Sequence, residues 1–158
     1  NMVGVFTTET LSGEEFTREQ LGDVVFFAFL DPSAEETQAF YDALTASYDS
    51  VVENGADIVV CTKSESGSEL FAGAPFPVIL YNDSLKAAIG SNSSMAEDEE
   101  MPNAASWYVN GSFLSAWYST VDGEDLPESA AAFVEMSKDP EFQAGGDSDG
   151  AAAMAPMG

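Results

Sequence analysis

Val24-Val25-Phe26-Phe27-Ala28-Phe29-Leu30 is apolar at every position. A half-exposed strand would alternate apolar and polar residues, so an unbroken run of this length predicts a central strand covered on both faces. Asp31-Pro32 closes it, because proline has no N–H for the ladder. Ser33 with Glu36 three residues on makes a capping-box pattern, and Glu35 and Glu36 suit the positive end of a helix. Phe40, Ala43 and Leu44 recur at helical spacing, so a helix from Ser33 to about Tyr48 is expected to face the sheet. Asn54-Gly55 breaks the chain, and Ala56 to Cys61 reads as a second buried strand. Strand, helix and strand in that order predict a parallel βαβ unit.

Upstream, Phe6 to Leu11 can extend, and Thr17-Arg18-Glu19-Gln20 has the capping-box pattern of a short helical turn. Downstream, Phe76 to Tyr81 is a further extended piece, and Ser84 to Ile89 a short helix closed by Gly90. Ser91 to Asn103 reads as a polar loop. Trp107 to Val109 and Phe113 to Tyr118 flank Asn110-Gly111, the dipeptide preferred in a type I′ hairpin. Leu126-Pro127-Glu128 opens a last helix that carries Ala130, Phe133 and Val134 on one face and Lys138 near its end. The expected division is a domain over 1–140 and a Gly/Ala/Met-rich tail over 141–158.

The 158 residues suffice for one domain with its own core. No apolar run reaches the ~18 residues of a membrane-spanning helix. Histidine is absent, which excludes His-based triads and His metal sites, and the lone Cys61 excludes an internal disulfide or a CxxC pair. Against 28 Asp and Glu stand 4 Lys and Arg, for a formal charge of −24. Such a chain repels phosphate backbones and anionic lipid, so no nucleic-acid partner is expected; cationic protein surfaces or divalent cations are. Solubility in a salty medium is the other account of that charge. The first residue is Asn, which suggests a processed chain, and the sequons at Asn82, Asn92 and Asn110 are open to glycans in a secretory compartment.

Several segments together resemble the peroxiredoxin branch of the thioredoxin-like fold. Leu11-Ser12-Gly13-Glu14-Glu15-Phe16 through Gln20-Leu21-Gly22-Asp23-Val24 is similar to that family's entry into its first central strand. Pro75-Phe76-Pro77-Val78-Ile79-Leu80 with Ser84 to Gly90, and Ser106-Trp107-Tyr108-Val109-Asn110-Gly111, resemble its PFP strand and its hairpin. The resemblance spans roughly residues 9–136 and implies an α/β domain: a central mixed sheet flanked by helices, with a C-terminal β-hairpin and a closing helix. It also implies a thiolate at the start of the helix after the first central strand, where the helix dipole lowers its pKa. This chain has Leu30-Asp31-Pro32-Ser33-Ala34 there, and the thioredoxin register sets Asp31 and Ala34 on the two cysteines. The family's thiolate-stabilising arginine is unmatched, since Arg18 is the only arginine, and Pro102 falls about one residue from the register of the thioredoxin cis-proline. The fold is expected to be kept and the redox chemistry lost.

Candidate site residues follow. Cys61, next to Thr62-Lys63 at a strand end, is either an inert buried thiol or a residual one-cysteine peroxidase nucleophile, and the inert reading is favoured. Asp31, Glu35 and Glu36 are read as helix-capping groups rather than an acid–base pair. Glu97, Asp98, Glu99 and Glu100 are weak candidates for Ca2+, with a solvated acidic loop as the alternative. Trp107, Tyr108, Trp117 and Tyr118 line the hairpin, and alternate aromatics are expected to point outward as partner anchors, joined by Met154 and Met157 of the tail. The leading expectation is a non-enzymatic accessory subunit. It would dock on the basic surfaces of a larger assembly, one peripheral to a membrane complex included, in a lumenal compartment such as a thylakoid lumen, or in a secretory or extracellular one. An acidic calcium buffer and a Cys61 peroxidase are the alternatives.

Overall fold

The computed structural model describes residues 3–63, 68–98, 100–114 and 116–138. In chain order the elements are β1 (Thr7–Glu9), β2 (Glu15–Thr17), β3 (Val24–Leu30), α1 (Thr37–Glu53), β4 (Asp57–Thr62) and β5 (Val78–Leu80). Then follow α2 (Asp83–Ile89), α3 (Ser93–Ala96), β6 (Ala104–Val109), β7 (Ser112–Phe113) and α4 (Leu126–Lys138). β1 and β2 form a small antiparallel hairpin of their own; the main sheet has the order β5-β4-β3-β6-β7. β3 runs parallel to β4, and β4 to β5, while β6 is antiparallel to both β3 and β7. A mixed sheet with β3 at its centre results.

The apolar run of β3 feeds two cores. Val24, Phe26, Ala28 and Leu30 face one side, against Phe40, Tyr41, Leu44 and Val51 of α1 and Leu126 and Ala130 of α4. Val25, Phe27 and Phe29 face the other, against Leu85 and Ile89 of α2, Ala96 of α3 and Phe6 and Phe16 of the N-terminal hairpin region. Every residue of β3 is buried because both faces are covered.

Local chemistry shifts several boundaries from expectation. α1 starts at Thr37, not Ser33, because the Asp31 carboxylate takes both the Ser33 N–H (2.9 Å) and the Ser33 hydroxyl (2.7 Å). That local bond holds residues 31–36 in turns, and no side chain caps α1 itself. The helix then runs on to Glu53 and stops at Asn54-Gly55, where Gly55 takes φ +95°. The expected polar loop after Gly90 contains α3, since Ala96 is drawn into the second core. α2 closes at Gly90 as expected but starts at Asp83, one residue early, where the Asn82 side chain accepts from Leu85 N–H at 2.9 Å and caps the helix.

The hairpin turn is borne out: Asn110 and Gly111 have φ of +49° and +98°, the signs a type I′ turn requires. The strand after it is shorter than expected. Tyr108 opposes Phe113, and the next pairing is Ala105 with Tyr118. Three steps along β6 thus face five on the returning chain, leaving two extra residues. The Ser106 hydroxyl serves this irregular stretch, lying 3.0 Å from the Leu114 carbonyl and 2.7 Å from the Ala116 carbonyl. Met154, Met157 and the rest of the expected tail lie outside the described residues, as does Glu99.

Candidate functional site at the carboxyl ends of the parallel strands

In open α/β sheets ligands meet the carboxyl ends of parallel strands. Here β3, β4 and β5 end together. Lys63 N–H donates to the Leu30 carbonyl (3.0 Å) and Tyr81 N–H to the Thr62 carbonyl (3.1 Å), so Asp31, Lys63 and Tyr81 follow one another along a single rim.

At the β3 end the Asp31 carboxylate is held below its ordinary pKa, first by the Ser33 hydroxyl and N–H and also by the nearby Lys63 charge. Asp31 N–H donates to Asn103 Oδ1 (3.3 Å). The Thr37 hydroxyl, with its single proton, lies against the Asp31 carbonyl and 2.9 Å from the same Asn103 oxygen. Asn103 is 1% exposed, and its Nδ2 has no hydrogen-bond partner among the described residues. The segment after Pro102 therefore sits directly against the Asp31 turn, closer than its register in the sequence suggested. The described peptide bonds are all trans, that of Pro102 included.

Lowered carboxylate pKa has a signed consequence. A group ionising more readily in the folded chain stabilises it above the unfolded carboxylate pKa, and that contribution fades as pH falls through the folded value. Asp31→Asn keeps the shape but weakens the bonds to Ser33. It is expected to cost at most about 0.5–1 kcal/mol at neutral pH, the difference between a charged and a neutral acceptor reduced by solvent, and to flatten the acid limb of a pH–stability curve. Urea melts at a series of pH values check this; an acid limb unchanged by the substitution would show that the Ser33 bonds contribute nothing.

At the β4 end Lys63 is half-buried. Burial pushes its pKa below the usual lysine value, opposed by Asp31, Cys61, Asp98 and Glu97. Cys61 does not reach the rim. It is 0% exposed in the second core, paired across the sheet with Phe29 and Ile79. Burial raises its thiol pKa well above normal, and Lys63 only partly offsets that. The expected help from Lys63 is thus outweighed by desolvation.

At the β5 end the Tyr81 hydroxyl donates to Glu97 Oε2 (2.6 Å), and burial with this bond raises its pKa. Lys86 pairs with the same carboxylate at 3.2 Å. Those two contacts hold Glu97 below its ordinary pKa. Asp98 Oδ1 accepts from Glu100 N–H (2.9 Å). Among the described residues no three His, Cys, Asp or Glu side chains converge on a cation position, so the calcium candidates Glu97, Asp98 and Glu100 are not brought together. Glu35 and Glu36 are exposed.

The hairpin corrects the aromatic expectation. Trp107 and Tyr108 are 3% and 5% exposed because β6 is covered on both faces. Trp107 packs on Phe26 and on Phe133 of α4, and Tyr108 faces the second core. Trp117 lies half-buried against Phe29 and Phe113. Tyr118 alone stays open, at 40%. Arg18 is also committed, donating to the Val3 carbonyl at 2.6 Å.

No protein-family model matches the chain, and no curated protein does. Solved structures do. A thioredoxin-family thiol:disulfide interchange protein of Chlorobium tepidum superposes with a TM-score of 0.69 at 12% identity, covering 85% of this chain and 96% of that one. The thioredoxin domain of a thiol-disulfide oxidoreductase of Bacteroides vulgatus gives 0.65 at 15% identity, with the same coverages of 85% and 96%. A secreted Mycobacterium tuberculosis disulfide oxidoreductase, homologous to E. coli DsbE, gives 0.60 at 15%, covering 80% and 95%. The fold is thioredoxin-like. At these identities the likeness carries that thioredoxin-like fold and not the peroxiredoxin branch. Within the thioredoxin-like frame, sequence reasoning found Asp31 and Lys63 singly. It missed that Tyr81, Thr37 and Asn103 join them. The only signal in the sequence was their placement at segment ends.

Proposed function

We propose that this thioredoxin-like chain works by binding and not by thiol exchange, as an accessory subunit that docks an acidic surface on basic parts of a larger assembly. The observation that supports this most is the turn after β3. It holds Asp31-Pro32-Ser33-Ala34, and the single thiol is sealed inside the sheet. The surface charge supports it too: 28 acidic residues, and one ion pair among the described residues, Lys86 with Glu97. A uniformly anionic rigid body attracts cationic surfaces at long range.

Within this proposal the domain descends from the peroxiredoxin branch, on the strength of its entry, PFP-like and hairpin segments. The compartment is extracytoplasmic or lumenal, a thylakoid lumen being the narrower form. Support for the compartment comes from similar structures described as secreted, from Mycobacterium tuberculosis and from Corynebacterium glutamicum.

Gentle extraction at low ionic strength tests the reading. The protein is expected to migrate with a large complex and to leave it as salt is raised past ~0.5 M, where screening shortens to a few ångströms. Migration as a single chain at every ionic strength would refute docking. The same salt series is expected to raise the melting temperature of the isolated chain, because screening relieves its self-repulsion.

A further inference from the structure

Two clefts open on the rim and share Lys63, Tyr81 and Asn82. The larger, about 530 Å3, lies between β1 and the ends of β4 and β5. That volume is in the range of small-molecule sites, and its place is the one parallel sheets use for ligands.

Most polar groups around it are already committed. The Thr8 hydroxyl donates to the Leu80 carbonyl at 2.6 Å. The Asn82 side chain caps α2 and donates to the Thr7 carbonyl at 3.1 Å. The Tyr81 hydroxyl is given to Glu97. Among the described residues the charges lining the larger cleft are Lys63 from the end of β4, which also feels Asp31, Asp98 and Glu97 behind it, and Glu9 from β1. They line the same space without forming an ion pair with each other.

This pairing selects among ligand charges. A free anion entering toward Lys63 meets Glu9 and the field of a chain carrying −24. A free cation entering toward Glu9 meets Lys63. A neutral molecule with separated charges satisfies both groups and is not repelled as a whole. We propose that this cleft binds a small zwitterion of the amino-acid type, its carboxylate on the Lys63 ammonium and its ammonium on the Glu9 carboxylate. The carbon chain between them lies along Leu80 and Tyr81. This site stands apart from the docking proposal, and either can fail alone.

The test is a nuclear magnetic resonance titration of the full chain at fixed ionic strength. The probes are free glycine and γ-aminobutyrate, which differ in charge separation; the controls are acetate and methylammonium. One zwitterion is expected to give saturable shifts at the Thr7, Lys63, Tyr81 and Asn82 amides, with neither control doing so. Lys63→Gln and Glu9→Gln should each weaken it about tenfold, the loss of one charge-assisted contact. Glu9 is exposed on a short strand, so its variant is expected to fold even if Lys63→Gln does not. Absence of saturation, equal shifts with acetate, or undiminished binding to the Glu9 variant would overturn the proposal.

Discussion

Maleimide added to the native protein is expected to label Cys61 at least about a thousandfold more slowly than the same chain in denaturant. Access is one cause. The residue is 0% exposed in the second core, so the reagent waits for an opening that lifts the covering layer of α2, α3 and the N-terminal segment off the sheet. Openings of that size cost much of the global stability, about 5–15 kcal/mol for a domain. Ionisation is the second cause. The thiolate is the nucleophile, and burial holds the thiol pKa well above its normal value despite Lys63 nearby. The comparison needs a careful control. Cys61→Ser would place a hydroxyl among Phe29, Ile79 and Leu85, at a cost of about 1–3 kcal/mol, so a lost activity in that variant could be lost fold. Cys61→Ala is the cleaner variant. Labelling of the folded chain at the rate of a free thiol would overturn the reading of an inert cysteine and put the one-cysteine peroxidase, until then an alternative, ahead of the accessory subunit.

How much of this was legible in the sequence depends on the range of the interactions. β3 was legible because an unbroken apolar run has one use, burial on two faces, and its alternate residues feed both cores. The Asn110-Gly111 turn was legible because positive φ at two successive positions narrows the choice of residues. The start of α1 was misread because two local patterns competed. Ser33 and Glu36 spell a capping box, but the Asp31 carboxylate reaches Ser33 first. The strand after the hairpin was misread because Phe113 to Tyr118 is mostly apolar, and nothing local records the two extra residues that Ser106 accommodates. The rim was invisible for a different reason. Asp31 and Lys63 lie 32 positions apart, and only the parallel register of Leu30 with Thr62 brings them to one edge. Asn103 joins them across the antiparallel pairing of β6 with β3. Neither register is written in any short segment.

Trp107→Ala and Tyr118→Ala are expected to separate stability from docking. The sequence grouped both as outward anchors, yet the sheet assigns them opposite roles. Trp107 sits with ring centroids 5.0 Å from Phe26 and 5.2 Å from Phe133, bridging β3, β6 and α4. Truncating it leaves a large void where two elements meet, at a cost of about 3–5 kcal/mol. For a chain of this size that corresponds to a fall in Tm of about 10 °C or more. Tyr118 is 40% exposed; its backbone pairs both ways with Ala105, and its ring meets the sheet only at Phe26, with centroids 6.4 Å apart. Its truncation is therefore expected to cost less than about 1 kcal/mol. If the chain docks through this edge, Tyr118→Ala weakens association with the assembly at unchanged Tm, whereas association of Trp107→Ala falls only in step with its folded fraction. A Trp107→Ala protein that melts like the parent but no longer associates would place that ring at an interface and overturn the core assignment. A Tyr118→Ala protein that associates normally would move the docking surface off the hairpin and onto the acidic faces of α1 and α4, where Asp42, Asp49, Glu128 and Glu135 stand exposed or nearly so without a neighbouring cation on α1.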